Sequence, residues 1–213
     1  MTETDSIIVS ADDLESFVRA LFVAAGLPEE WAAAEAEVLV WADLRGVGSH
    51  GCFRIPMYLR WMGRGERTGT ADIRVVQRAG ATAVLDGDKG PGLYIMRKAM
   101  ETAVEIAREH VIGWVVVKKT THTGPMGFYA RAAAEAGFIG ITACASRPLM
   151  AYHGTRTPVL GTSPLAIGVP REGAPPLVLD MSSAAIPFGR LAQARQSGTP
   201  LPEGVALDGA GRP

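Results

Sequence analysis

The sequence predicts an α+β protein, in which a helical N-terminal region precedes a longer region of mixed strands and helices. Two observations predict this fold class. Apolar residues recur at helical spacing in the first part of the chain. Further on, short β-branched runs alternate with amphipathic segments. We therefore expect two regions, residues 1–70 and residues 71–213.

Three helices are predicted in the N-terminal region. Either Asp5 or Ser10 is expected to cap the first, and Gly26 ends it. The second is predicted at 29–45, where an apolar stripe lies in an Ala- and Glu-rich segment. The third is predicted at about 53–62.

Strands and helices mix in the second region. Strands are predicted at 72–86 (two strands joined by the turn RAGA), 114–119, 138–146, 165–170 and 176–181, and helices at 93–109 and 127–136. Residues 189–213 show little apolar periodicity and end in DGAGRP, a turn that does not close a fold. This ending indicates a chain cut short at its C-terminus.

Composition excludes several functional classes. The 213 residues carry a formal net charge of -1 with no polybasic run, so neither nucleic acid nor an anionic membrane is an expected partner. No apolar run has the length of a membrane span, and MTETDSIIV lacks the features of a signal peptide. Cys52 and Cys144 are the only cysteines and form no CxxC pair, so no metal site is predicted. A reduced, cytoplasmic protein is expected.

The segment RGVGSHGCFR brings together residues that suit acid–base chemistry. Ser49, His50 and Arg54 lie within six positions, and a helix beginning near Gly51 would place His50 and Arg54 on one side. Arg can hold a carboxylate through two parallel hydrogen bonds, and an imidazole can exchange a proton near neutral pH. The alternative is structural: Ser49 caps a helix and Arg54 is a surface residue.

A second histidine follows a predicted strand in KKTTHTGPMGFYA. Loops after strands often carry α/β sites, and the amides of the following helix favour an anion. His122 could therefore contact a substrate or a cofactor, although the sequence alone favours a surface loop histidine. His110 fits the negative end of a helix dipole, and His153 lies in a polar loop with no assigned role.

Two further motifs leave alternatives open. Asp180 ends an apolar strand in VLDMSSA, where a carboxylate can orient an imidazole or cap its own turn. The sequence GDKGPG (87–92) lies between a strand and a helix, as a Rossmann dinucleotide-binding motif would. Its spacing is not G-x-G-x-x-G and no acid ends a second strand at the expected distance, so a plain turn is preferred.

Taken together, these segments resemble one family, the malate/L-lactate dehydrogenases of the second type, with ureidoglycolate, sulfolactate and diketogulonate dehydrogenases and a cyclic-imine reductase among its members. The resemblance covers roughly residues 10 to 213 and rests on ADLRGVGSHGCFRIPMYLRW, VLDGDKGPGLYIMRKAM, HTGPMGFYARAAAEAGFIGI, LGTSPLAIGVPR and LVLDMSSA. It implies a non-Rossmann fold, with a helical region on the substrate and dimer side and a mixed, largely antiparallel NAD(P)-binding domain. It also implies hydride transfer between NAD or NADP and a small 2-hydroxy or 2-oxo acid, in a homodimer.

The resemblance also implies roles for individual residues. His50 would exchange the proton, with Ser49 and Asp180 completing its relay, and Arg54 would bind the substrate carboxylate. His122 would line substrate and nicotinamide, or act as the base in place of His50. The positions expected along the cofactor are His122, Gly124, Met126, Gly127, Thr162, Ser163, Pro164, Asp180, Met181 and Ser182.

The sequence also departs from the family pattern. Ser182-Ser183-Ala184 stands where Ala-Thr-Ser is usual, and Ser163 stands where Asn is more common. Relatives continue for a long C-terminal segment that supplies further cofactor contacts. An alternative function is therefore an inactive remnant that acts as a dimerisation or ligand-binding module.

Overall fold

The computed structural model describes residues 7–212. The chain divides into two compact units, residues 1–124 and residues 125–213. Each unit has its own helices and its own sheet.

The described part of the first unit, residues 7–124, contains four α-helices. These are α1 (Ala11–Ala24), α2 (Glu29–Leu44), α3 (Ile55–Gly63) and α4 (Gly92–His110). The hydroxyl of Ser10 caps α1 by accepting a hydrogen bond from the Asp13 amide at 3.1 Å, while Asp5 lies outside the described residues. Helix α2 is buried on several sides rather than along one stripe, because α1 and α4 both pack against it.

The sheet of the first unit has three strands in the order β1-β2-β3. They are β1 (Arg74–Ala79), β2 (Thr82–Asp86) and β3 (Trp114–Lys118). Strands β1 and β2 form the predicted antiparallel hairpin, and β3 pairs with β2 in parallel after the chain has crossed over through α4. Leu85, Ile95 and Ala99 form the core between this sheet and α4.

A buried ion pair joins α2 to the start of α4. Glu35 and Arg67 are 0% and 1% exposed and bind each other. The other oxygen of Glu35 accepts the amides of Leu93 and Tyr94 at 3.1 and 3.3 Å, so a protein carboxylate already occupies the first turn of α4. A Rossmann fold would bind a phosphate at this helix N-terminus. GDKGPG is therefore not a Rossmann phosphate-binding loop.

The same contacts explain the division of the chain. The compact units divide at Gly124, and the functional boundary expected at residue 70 stays a prediction. The first sheet and α4 group with the N-terminal helices because Glu35 of α2, which is paired with Arg67, accepts the first amides of α4.

Residues 125–212 of the second unit form two helices and two small sheets. Its elements are α5 (Met126–Glu135), β4 (Gly140–Ala143), β5 (Met150–Ala151), β6 (Pro158–Leu160), β7 (Leu165–Val169), β8 (Leu177–Met181) and α6 (Phe188–Ser197). Strands β4, β7 and β8 form an antiparallel sheet in the order β4-β7-β8, and α5 packs on it. Strands β5 and β6 form a separate antiparallel pair.

The predicted fold class is confirmed. Helices and strands mix, and among the described residues every strand pairing except that of β2 with β3 is antiparallel. The sequence did not predict α6, β5 or β6. No helix in residues 7–212 combines the length and the apolarity needed to cross a membrane.

Candidate active site

The loop that carries Ser49 and His50 is held in place by an aspartate of α2. The chain forms two short 3-10 turns, Gly48–His50 and Cys52–Arg54, before α3 begins. The carboxylate of Asp43 accepts the Cys52 amide at 2.8 Å. A Cβ on Gly51 would lie 1.9 Å from that carboxylate, so only glycine fits between the two turns.

This geometry corrects one expectation. An α-helix beginning near Gly51 was expected to align His50 with Arg54, but the helix begins at Ile55. The backbone of Gly51 is extended and Asp43 binds the amide that follows it, so the helix cannot start there.

Arg54 nevertheless lies beside His50. The Arg54 side chain is 6% exposed, and its Nε donates to the Ser49 carbonyl at 2.6 Å. The Ser49 hydroxyl contacts His50 Nδ1 at 3.0 Å. The structural alternative, a capping Ser49 with a surface Arg54, is therefore wrong.

His122 stacks against His50, so the sequence preference for a surface histidine is also wrong. The two imidazole centroids are 5.5 Å apart and the ring planes differ by 22°. The Tyr58 hydroxyl lies 2.7 Å from His122 Nδ1, and the Gly124 amide donates to the same nitrogen at 3.3 Å. Residues 64 positions apart in the chain thus form one cluster with Arg54.

The cluster keeps both imidazoles neutral at pH 7. Burial, and then the charge of Arg54, lower the pKa of His50 to about 4. Burial also lowers the pKa of His122 well below its ordinary value, and Arg54, His50 and Arg67 lower it further. The site thus contains the positive charge of Arg54 beside two imidazoles that can accept or donate hydrogen bonds.

The low pKa of His50 predicts a loss of stability in mild acid. Between pH 6.5 and about 4 the unfolded chain takes up a proton on this imidazole while the folded chain does not, so stability falls as the pH falls. The full contribution of His50 is about 3 kcal/mol. Urea unfolding at a series of pH values should show a shallower decline for His50→Ala than for the wild type. His153→Ala, a change at an exposed loop position, should keep the wild-type slope; equal slopes in all three proteins would contradict the assignment.

The expected cofactor positions of the second unit gather around β8. The carboxylate of Asp180 accepts the Gly127 amide at the start of α5 at 2.7 Å, and partial desolvation raises the pKa of Asp180. The Ser182 hydroxyl donates to the Thr162 carbonyl at 3.2 Å. The end of β8 is thus bound both to α5 and to the turn before β7.

The other expected cofactor positions differ in backbone conformation, in hydrogen bonding and in exposure. The Ser163 backbone has a φ of 33°, and the Pro164 carbonyl accepts the Cys144 amide at 3.2 Å. Met181 is 60% exposed, whereas Met126 is 1% exposed and belongs to the core. The expected relay from Asp180 to His50 joins residues of different units and stays a prediction.

Sequence reasoning missed Tyr58, Arg67 and Glu35. The guanidinium of Arg67 lies 4.5 Å from the centre of the Tyr58 ring, and Tyr58 in turn contacts His122. One signal was available: Glu35 follows Trp31 by four positions and precedes Val38 by three, so a carboxylate lies on the apolar side of α2. Nothing in the sequence pattern marks Tyr58 or Arg67.

The fold and the cluster define an α+β protein with a non-Rossmann topology and a site in which two stacked histidines lie beside a buried arginine. A family model described as malate/L-lactate dehydrogenase matches residues 9–213, and the chain belongs to that family.

Individual relatives agree with this assignment. A malate dehydrogenase of Pyrococcus abyssi is 40% identical over 203 residues, which cover 95% of this chain and 56% of the relative. A ureidoglycolate dehydrogenase (NAD(+)) of Escherichia coli K12 is 32% identical over 205 residues, covering 96% and 59%. The crystal structure of malate dehydrogenase from Entamoeba histolytica superposes with a TM-score of 0.91 at 33% identity, covering 96% and 57%. The chain thus spans somewhat more than half the length of these relatives.

Proposed function

We propose that this chain carries the substrate-binding and acid–base residues of an NAD(P)-dependent dehydrogenase acting on a small 2-hydroxy acid or its 2-oxo acid. One observation supports the proposal above the others: a buried guanidinium shares a cluster with two stacked, neutral imidazoles. The names of the relatives, which include malate and ureidoglycolate dehydrogenases, agree with this substrate class.

Arg54 binds the substrate carboxylate in this proposal. Its Nε is used by the Ser49 carbonyl and its Nη1 faces the sulfur of Met57 at 3.9 Å, while Nη2 has no hydrogen-bond partner within residues 7–212. A carboxylate on the free edge of the guanidinium would fix the adjacent carbon and its hydroxyl relative to the two imidazoles.

His50 exchanges the proton. Since Ser49 engages Nδ1, Nε2 is the nitrogen left for the substrate hydroxyl. In the oxidation direction the hydroxyl proton moves to His50 as the carbon–oxygen double bond forms, and the hydrogen on carbon departs with its electron pair. When bound, NAD(P) supplies the site that accepts or returns this electron pair.

Substrate binding also prepares His50 for this step. The charge of Arg54 contributes to the low pKa of His50, second to burial. A carboxylate paired with Arg54 offsets that charge, so the pKa of His50 rises toward neutrality once the acid is bound. The base thus gains proton affinity only in the complex.

The residues proposed to contact the cofactor lie largely in the second unit. The hydroxyls of Thr162 and Ser182 and the carboxylate of Asp180 offer the donors and acceptors that the ribose and amide groups of NAD(P) require. NAD is favoured by the name of the ureidoglycolate relative, and NADP is the alternative. Assembly as a homodimer in the cytoplasm belongs to the same proposal and rests on the family resemblance.

An absorbance assay with purified protein tests the proposal. Oxidation of NADH or NADPH should follow addition of oxaloacetate, pyruvate or another small 2-oxo acid, and calorimetric titration should show binding of one of the two cofactors. Binding without turnover of any 2-oxo acid would support a ligand-binding module instead. Absence of both binding and turnover would overturn the proposal.

A further inference from the structure

We propose that Tyr58 is a positioning residue that fixes His122 in the tautomer with its proton on Nε2, so that His122 acts as a neutral hydrogen-bond donor to the substrate oxygen. The inference rests on the proposed function for its catalytic meaning. The tautomer itself can be tested without turnover. It also separates the roles of the two histidines, which the sequence left open.

Two possible donors lie next to His122 Nδ1. The Gly124 amide points its hydrogen at this nitrogen from 3.3 Å, and an amide N–H can only donate. The Tyr58 hydroxyl lies 2.7 Å away, and burial raises the pKa of Tyr58, so this hydroxyl keeps its proton and can donate it. Two donors on Nδ1 require a lone pair there, so the proton of the neutral ring lies on Nε2.

Buried contacts hold Tyr58 in place. Its side chain is 1% exposed, and its ring packs against the Arg67 guanidinium. Arg67 is held by Glu35, and Glu35 is held by the first amides of α4. A continuous buried line of contacts therefore runs from the start of a 19-residue helix to the imidazole of His122.

His50 differs from His122 in the hydrogen-bond partner of its Nδ1. Its Nδ1 faces the hydroxyl of Ser49, which can either donate or accept, so His50 can gain a second proton without losing this hydrogen bond. His122 cannot, because a proton on Nδ1 would face the Gly124 amide hydrogen. The positive charges near His122, those of Arg54 and Arg67, oppose its protonation as well. His50 thus carries the transferred proton, and His122 stabilises charge on the substrate oxygen.

Nitrogen-15 NMR of the histidine rings in the full chain tests the tautomer directly. The protein has four histidines, and one variant at each position assigns them. The wild type at pH 7 should show His122 protonated at Nε2 only. A proton on Nδ1, or on both nitrogens, would overturn the inference whether or not the chain turns over substrate.

The variant Tyr58→Phe tests the part played by the hydroxyl, because the phenyl ring keeps its place on Arg67. We expect a measurable Nδ1-protonated fraction of His122 and a fall in kcat of about tenfold, the effect of one hydrogen bond of roughly 1.4 kcal/mol. KM should change much less than kcat. Tyr94→Phe is the matched control, since it removes the hydroxyl of another buried tyrosine of the first unit, one that binds Glu30 at 3.2 Å.

The outcomes of the two variants separate the inference from the proposed function. A His122 spectrum of Tyr58→Phe identical to that of Tyr94→Phe would overturn the role of Tyr58. A wild-type chain with the expected tautomer but no turnover would overturn the proposed function and leave the positioning role intact. A changed spectrum with reduced kcat supports both.

Discussion

Replacing His50 with alanine is expected to lower kcat about 1,000-fold, within the range that a positioned general base contributes. Affinity for NADH or NADPH should remain within about twofold of the wild type, since the expected cofactor positions lie largely in residues 124–182 rather than on the 3-10 turns. We expect kcat to fall because the substrate hydroxyl loses the group that accepts its proton. His122 cannot replace it, because in the inferred tautomer its Nε2 already carries a proton and has no lone pair for the proton of the substrate hydroxyl.

Steady-state kinetics with calorimetric cofactor titration measures both quantities. His153→Ala serves as the control, since it removes an exposed histidine outside the cluster. The pH profile adds a second readout: loss of His50 should remove an ionisation from kcat that the control retains. Unchanged turnover in His50→Ala would remove this residue from the mechanism.

Changing Arg54 to lysine is expected to lower kcat/KM for a 2-oxo acid by roughly 100-fold or more. Lysine keeps the positive charge but loses the planar pair of donors that fixes a carboxylate in two directions. It also loses the Nε donor that holds the Ser49 carbonyl at 2.6 Å, so the turn carrying His50 is less well ordered. We expect both effects to appear mainly in kcat/KM, because a misplaced carboxylate weakens binding and alignment together.

Arg60→Lys makes the same chemical change at an exposed position of α3 and should leave kcat/KM within about twofold of the wild type. A ketone without a carboxylate provides the complementary control, since it cannot use Arg54. If Arg54→Lys handles the acid as well as the wild type does, Arg54 is not the carboxylate-binding group.

The sequence predicted those elements whose burial is periodic. Helix α4 and strand β2 lie close to their expected positions, because each buries one face against a neighbour. Strand β1 is exposed along its whole length, and its position follows from its pairing with β2 in the predicted hairpin. Helix α6 was missed since Gly189 is its only buried residue among those described, so no apolar period marks it. The start of α3 was misplaced because it depends on the hydrogen bond that the Cys52 amide donates to the carboxylate of Asp43, nine residues earlier in the chain.

The candidate site was predictable only in part. Ser49, His50 and Arg54 are close in sequence, and their chemistry alone suggested a site for an acid. Their link to His122 runs through Tyr58 across 64 positions, and the support of Tyr58 runs through a charge pair separated by 32 positions. Spacing rules apply within one helix or one strand, so they do not predict contacts between residues that are distant in sequence.

The central claim is that Arg54 holds a small acid beside His50 and His122, and binding of oxamate, an unreactive analogue of a 2-oxo acid, tests it most directly. Histidine nitrogen-15 spectra recorded during a titration with oxamate and NADH should show saturable shifts for His50 and His122, a rise in the pKa of His50, and no shift for His110 or His153. The shifts should disappear in Arg54→Lys. Saturable binding of oxamate that leaves the signals of His50 and His122 unchanged would contradict the account.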